Sequence, residues 1–349
     1  MKTQVFTISD PQAAQDALRA AGHMIRLGGL VVFPTETVYG LGGDGTNPQA
    51  AADIYAAKGR PSDNPLIIHI ADPEDASLYA HTSPLYDALA KAFMPGPLTV
   101  IMPKRDTVPT SVTGGLDSVA VRCPSHPVAQ ALIRAAGTCI AAPSANLSGK
   151  PSPTNASHVI QDLDGKVDAI IDGGECEIGL ESTIVKILSD EQGEPYLLLL
   201  RPGAITHDAL CCVCPRVDIA PAVADKLAEN ERPLSPGMKY RHYAPTAPLV
   251  LLDGEDAEVL AFLQAEQKKR ACTVLCYDEE ISALSGGNLI PIGAKDDLAT
   301  QAKHLFAALR AADATDAEII YAHLPPMQGL GLALYNRMIR AAAHTVLKI

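Results

Sequence analysis

Short apolar runs alternate along the first two hundred residues with stretches whose apolar positions recur every three or four residues. The runs 30–33, 66–70, 98–102, 119–123, 139–142, 169–171, 183–187 and 196–200 predict strands. Between them, helical periodicity predicts helices over 10–27, 48–57, 83–93, 127–136 and 155–163. The second helix is sharply punctuated: Asn47 suits the N-cap, Pro48 the first helical position and Gly59 the exit, so the exit carries Lys58 and Arg60. Strands and helices in this alternation predict an α/β domain over residues 1–210.

The pattern loosens over 211–248, where Arg232-Pro233-Leu234-Ser235-Pro236-Gly237 marks a linker. It resumes with buried-strand patterns at 249–252, 273–276, 289–292 and 318–321, separated by helical stretches at 257–269, 297–311 and 332–347. That alternation predicts a smaller parallel-sheet domain over 249–349.

Composition changes this picture little. Of 349 residues, 47% are hydrophobic and 19% charged, as in ordinary globular proteins. Met1-Lys2-Thr3-Gln4 opens no signal-peptide core and no apolar run is long enough to span a bilayer, so a cytoplasmic protein without membrane contact is expected. The eight cysteines lack a small-scaffold spacing and are expected as thiols. A net charge of -12 disfavours broad polyanion binding and leaves room for weak or local nucleic-acid contact at most.

Candidate chemistry gathers where strands end. Pro34-Thr35-Glu36-Thr37-Val38-Tyr39-Gly40-Leu41-Gly42 crowds hydroxyls, one carboxylate and glycines behind a strand, as in a binding loop or a β-turn with satisfied hydroxyls. Lys58-Gly59-Arg60-Pro61 sets two cations on a rigid backbone, suited to a polyphosphate or simply solvated at a helix end. His69 in an apolar strand reads as a packed histidine. Arg122, in the strand Val119-Ala120-Val121-Arg122-Cys123, needs an anion, either a ligand carboxylate or an internal salt bridge.

Ala142-Pro143-Ser144-Ala145-Asn146 permits close approach of a nucleotide, and no base stands beside Ser144 in sequence to make it a nucleophile. The chain has neither a Gly-x-x-x-x-Gly-Lys-Ser/Thr loop nor a Gly-x-Gly-x-x-Gly turn after a strand. Cys211-Cys212-x-Cys214 has no second ligand pair at zinc spacing and reads as idle thiols; Gly329-Leu330-Gly331 reads as a helix-entry turn. No resident metal is expected.

Taken in order, Pro34 to Gly42, Lys58-Gly59-Arg60-Pro61, Asn64-Pro65-Leu66, Pro95-Gly96-Pro97-Leu98-Thr99, Val121-Arg122-Cys123-Pro124, Pro143-Ser144-Ala145-Asn146, Glu181-Ser182-Thr183-Ile184-Val185 and Leu200-Arg201-Pro202-Gly203 resemble the YrdC/Sua5 family. Ser235-Pro236-Gly237-Met238-Lys239-Tyr240-Arg241-His242-Tyr243-Ala244-Pro245 is similar to the linker of the long, two-domain Sua5 form. The resemblance implies a twisted, mixed YrdC-like sheet around a large cavity plus a Rossmann-like C-terminal domain. It implies a threonylcarbamoyl-AMP synthase, a nucleotidyltransferase acting on L-threonine, bicarbonate and ATP. Its product would pass to a separate transferase that modifies adenosine 37 of tRNAs reading ANN codons.

On matching positions, the resemblance implies that Thr35, His69, Arg122, Ala142 and Ser182 hold threonine. Lys58, Arg60, Asn64, Ser118, Ser144, Asn146, Ser152 and Arg201 would surround ATP, with Lys58 and Arg60 catalytic. Tyr240, His242 and Tyr243 would close over the cavity, the last two against the nucleotide. Magnesium would ride mainly on the phosphates, since the motifs hold no carboxylate cluster. Two rivals remain. A hydrogenase-maturation carbamoyltransferase contains a similar domain, but its zinc-finger-like cysteine pairs are not visible; an RNA-binding or ribosome-associated module without catalysis fits poorly with the acidic balance.

Overall fold

A computed structural model describes residues 2–223, 242–284 and 286–349. They fall into two compact units, one of residues 2–148, 153–177 and 181–223, the other of residues 149–152, 178–180 and 242–349. Residues 232–237 and Tyr240 lie outside the described residues.

The first unit contributes strands β1 (Gln4–Thr7), β2 (Val31–Phe33), β3 (Gly40–Asp44), β4 (Ile67–His69), β5 (Leu98–Pro103), β6 (Ser118–Arg122), β7 (Ile140–Ala142), β8 (Ala169–Asp172), β9 (Thr183–Ser189), β10 (Pro195–Arg201) and β11 (Val217–Ile219). They form an eleven-stranded mixed sheet in the order β1-β8-β2-β3-β7-β4-β6-β5-β9-β10-β11. Its helices are α1 (Gln15–Arg26), α2 (Pro48–Lys58), α3 (Pro84–Phe93), α4 (Pro127–Ala136), α5 (Ala156–Leu163) and the short α6 (His207–Cys211). The α/β expectation holds. Helix α1 starts at Gln15, five residues later than the pattern suggested, because residues 11–14 form turns.

Residues 211–223, expected within the linker, are ordered parts of this unit: β11 pairs in parallel with β10, Leu197 opposite Val217. Strand β3 escaped the sequence reading because Gly40-Leu41-Gly42-Gly43-Asp44 carries almost no side chains. The sheet requires that: a Cβ on Gly42 would meet Ile140 Cγ2 at 2.6 Å and Phe33 at 2.9 Å.

Alternation divides the central strands into two faces. Ile68, Leu98, Val100, Val119, Val121, Val185, Leu197 and Leu199 join one buried cluster with Ile54 of α2, Leu89 of α3 and Val159 of α5. Each such side chain contributes roughly 1.5–3 kcal/mol by leaving water. The other face carries His69, Thr99 and Arg122, which the register sets side by side: His69 pairs with Arg122 across β4 and β6, and Thr99 with Arg122 across β5 and β6.

The second unit has a five-stranded sheet in the order β14-β13-β15-β12-β16, from β12 (Leu249–Asp253), β13 (Cys272–Cys276), β14 (Asn288–Pro291), β15 (Ile319–His323) and β16 (Val346–Lys348). Every pairing is parallel. Helices α7 (Asp256–Gln267), α8 (Leu298–Ala312) and α9 (Gly331–Ala341) connect them. The pattern predicted helix to 347, but α9 stops at Ala341, and Ala343 and His344 take positive φ values of 49° and 65°. A turn there frees Val346 and Leu347 to pair with β12 as an exposed edge strand. Strand β14, expected buried, is likewise a half-exposed edge.

Candidate active site

The motif residues occupy loops at strand ends, and their side chains are far less solvated than a surface reading allows. Lys58 ends α2, and Gly59 takes the left-handed conformation beyond it, at φ 61°, which turns the chain toward Arg60. Lys58 is 2% exposed and Arg60 9%. A solvated pair of helix-end charges is thereby overturned. Lys58 Nζ donates to the carbonyls of Ser144 and Asn146, and Ser148 N donates to the Lys58 carbonyl, strapping the 144–148 loop to the end of α2. Ser144 Oγ lies 2.5 Å from Asn146 Oδ1. Arg60 donates to the carbonyls of Asn64 and Pro65 at 3.3 and 3.2 Å, and the buried Asn64 Oδ1 has no hydrogen-bond partner among the described residues.

On the polar sheet face, Arg122 Nη2 donates to Glu36 Oε1 at 2.7 Å, with both side chains 5% exposed. The internal salt bridge foreseen as an alternative therefore exists. Burial by itself would raise the Glu36 carboxyl, but the Arg122 charge and hydrogen bonds outweigh it and hold the pKa below the ordinary value. Glu36 is thus an anion. Thr35 Oγ1 donates to the Val38 carbonyl at 2.7 Å and accepts from the amides of Thr37 and Val38, so it shapes its own loop.

His69 is a buried strand residue whose Nδ1 lies 3.3 Å from the Ile140 carbonyl and whose ring meets Phe33 edge-on at 5.7 Å. Burial first, and then the neighbouring Arg122 charge, push its pKa down to about 3. It is neutral at physiological pH. An unfolded chain takes up this proton below about pH 6.5 while the folded chain does not until about pH 3, so stability falls as pH drops through that window. We expect His69→Gln to flatten the decline of Tm between pH 6.5 and 3 relative to wild type; parallel Tm profiles would refute this.

Farther along, Ser182 Oγ lies 2.7 Å from Thr99 Oγ1 and accepts from Arg201 Nη2 at 3.1 Å, while Arg201 Nε donates to the Ser182 carbonyl at 3.0 Å. Ala142 ends β7 opposite Ile67, just before the Ser144 loop. Ser118 opens β6, roughly 13 Å along the strand from Arg122, and lines a cavity of about 640 Å³ with Ile101, Lys186 and Leu188. Ser152, His242 and Tyr243 belong to the second unit, where the Tyr243 ring stacks on Phe306 at 5.1 Å with its backbone at φ 61°. No group of three or more His, Cys, Asp or Glu residues is placed to hold a metal among the described residues.

Glu36 and Thr99 join the candidate site only through the fold. Both stand inside quoted motifs, but their partners are 86 and 83 positions away, a pairing that local spacing does not reveal.

This geometry has close counterparts. The family model described as Telomere recombination matches residues 23–203, and that described as Threonylcarbamoyl-AMP synthase, C-terminal domain, matches residues 205–343. The chain belongs to the YrdC/Sua5 family. Within it, the threonylcarbamoyl-AMP synthase of Bacillus subtilis is 44% identical over 99% of this chain and 97% of its own length. That of Schizosaccharomyces pombe is 37% identical over 95% and 90%. Pyrococcus abyssi Sua5, solved in complex with L-threonine, superposes with a TM-score of 0.89 at 40% identity, covering all of both chains. Family membership thus spans the mixed-sheet unit and the parallel-sheet unit alike.

Proposed function

We infer that the chain condenses L-threonine, bicarbonate and ATP into threonylcarbamoyl-AMP, pyrophosphate and water. The observation that carries this reading is similarity to threonylcarbamoyl-AMP synthases along essentially the whole chain. The buried cations Lys58, Arg60, Arg122 and Arg201 supply the physical support.

The threonine amine attacks the bicarbonate carbon and water leaves, giving a carbamate. A carbamate oxygen then attacks the α-phosphorus of ATP, and the bond to the β-phosphate oxygen breaks to release pyrophosphate. Neither step calls for a protein nucleophile. The protein's task is to hold two anions and a triphosphate in line and to offset the charge that gathers in the transition state.

Arg122 suits the threonine carboxylate, with Thr35, His69, Ala142 and Ser182 around the amino acid. A neutral His69 brings no competing cation. Lys58, Arg60 and Arg201 suit the phosphates, and Asn64, Ser118, Ser144 and Asn146 the rest of the nucleotide. A magnesium ion carried by the triphosphate would neutralise part of its charge.

The adenylate is an activated acyl donor, to be consumed by a separate transferase that modifies adenosine 37 of ANN-decoding tRNAs in the cytoplasm. No helix among the described residues is long and apolar enough to cross a membrane.

Pyrophosphate release by purified protein with ATP, bicarbonate and magnesium is the test. We expect release that depends on L-threonine and is much weaker with L-serine or without an amino acid. Release indifferent to the amino acid would overturn the reading and bring the non-catalytic RNA-binding alternative forward.

A further inference from the structure

Glu36 has no role in the scheme above, yet it is the one carboxylate of the 34–42 loop and it is buried against Arg122 at 2.7 Å. Each member of this pair keeps one atom unengaged. Glu36 Oε2 and Arg122 Nε are both buried and lack a hydrogen-bond partner of normal geometry among the described residues, although the backbone amides of Glu36 and Ser125 approach the carboxylate and help to lower its pKa. A buried acceptor and a buried donor left unmade are costly, and both belong to charged groups, for which the cost is larger. One oxygen therefore calls for a cationic donor, and one N–H calls for an anionic acceptor.

An α-amino acid carries both complements on a single carbon. A carboxylate ligand alone would be drawn to Arg122 and repelled by Glu36, because like charges at contact distance oppose binding. A free amine would meet the reverse conflict. His69, beside Arg122 in the register, is neutral and Thr99 offers only a hydroxyl, so among the described residues β4, β5 and β6 carry no other charge on this face; Arg201, linked to Thr99 only through Ser182, donates to the Ser182 carbonyl and hydroxyl.

We propose that Glu36 is a further substrate-recognition residue: with Arg122 it reads the zwitterion of an α-amino acid, Arg122 Nε taking the α-carboxylate and Glu36 Oε2 the α-ammonium. This rests on the reading that the site's organic substrate is an α-amino acid. It assigns Glu36 a contact with substrate and makes the ion pair a selectivity device against hydroxy acids and simple amines.

Calorimetric titration of the full chain without ATP tests it, using L-threonine, L-threoninamide and 3-hydroxybutyrate, which lacks the ammonium. Wild type should bind L-threonine about 30-fold or more tightly than either analogue, the range set by a charge-assisted hydrogen bond. Glu36→Gln should weaken threonine by a similar factor and leave 3-hydroxybutyrate unchanged or improved. If Glu36→Gln weakens threonine and 3-hydroxybutyrate equally, the residue merely steadies Arg122 and the proposal is wrong. Wild type binding 3-hydroxybutyrate as tightly as threonine would also overturn it, and that comparison needs no variant to fold. Binding of another α-amino acid in place of threonine, with the same pattern of analogue losses, would sink the proposed reaction while upholding the pair.

Discussion

Replacing Lys58 by methionine is expected to lower threonine-dependent pyrophosphate release by about 10²- to 10³-fold, with a smaller loss of thermal stability. Methionine keeps most of the stem that lies buried at the end of α2 and removes the ammonium. That ammonium reaches the carbonyls of Ser144 and Asn146 and orders the loop on which these two residues, proposed to face the nucleotide, stand. Its loss removes a fixed positive charge from a water-poor site, where one such donor is typically worth a factor of this size. The measurement is kcat and KM for ATP, with Tm recorded alongside. We expect kcat to fall and ATP KM to rise, with threonine binding in the absence of ATP nearly unchanged. A variant with normal turnover would show that the loop needs no cation and that Lys58 has no part in catalysis.

Arg122→Ala should be more damaging still to the amino-acid end, raising the threonine KM by about 100-fold and costing about 3–5 kcal/mol of stability. The stability cost arises because Glu36, 5% exposed and anionic, would be left buried without its cation. Pairing the change with Glu36→Ala removes the stranded carboxylate. The double variant is therefore expected to recover much of the Tm lost by Arg122→Ala and none of the threonine affinity. Denaturant unfolding of the two single variants and the double, together with threonine titrations, gives the comparison. Recovery of both properties in the double variant would contradict a substrate role for Arg122. No recovery of Tm would mean that the ion pair is not what the arginine contributes to folding.

Much of this site was legible because its residues sit at strand and helix ends that the hydrophobic pattern marks plainly. Gly59 after α2 placed Lys58 and Arg60, and the apolar alternation of β6 put Arg122 inside. What the pattern could not convey was reach. Lys58 at the end of a helix looks solvated until the 144–148 loop is folded over it, and Arg122 has two reasonable partners until Glu36 comes within 2.7 Å. The glycine-rich β3 was invisible because its packing depends on side chains it does not have, and β16 was mistaken for helix because Thr345-Val346-Leu347 continues an apolar period past the turn at 343–344. Residues 211–223 looked like linker because β11 is three residues long and pairs only at an edge of the sheet.

In the proposed reaction one carbon of the product comes from bicarbonate and bridges threonine to AMP. Mass spectrometry of the adenylate formed with ¹³C-bicarbonate, ATP, magnesium and L-threonine tests this most directly. A threonylcarbamoyl-AMP ion one mass unit heavier than with unlabelled bicarbonate is expected, and it should vanish without threonine. An unlabelled threonyl-AMP, or an adenylate that forms without threonine, would contradict it.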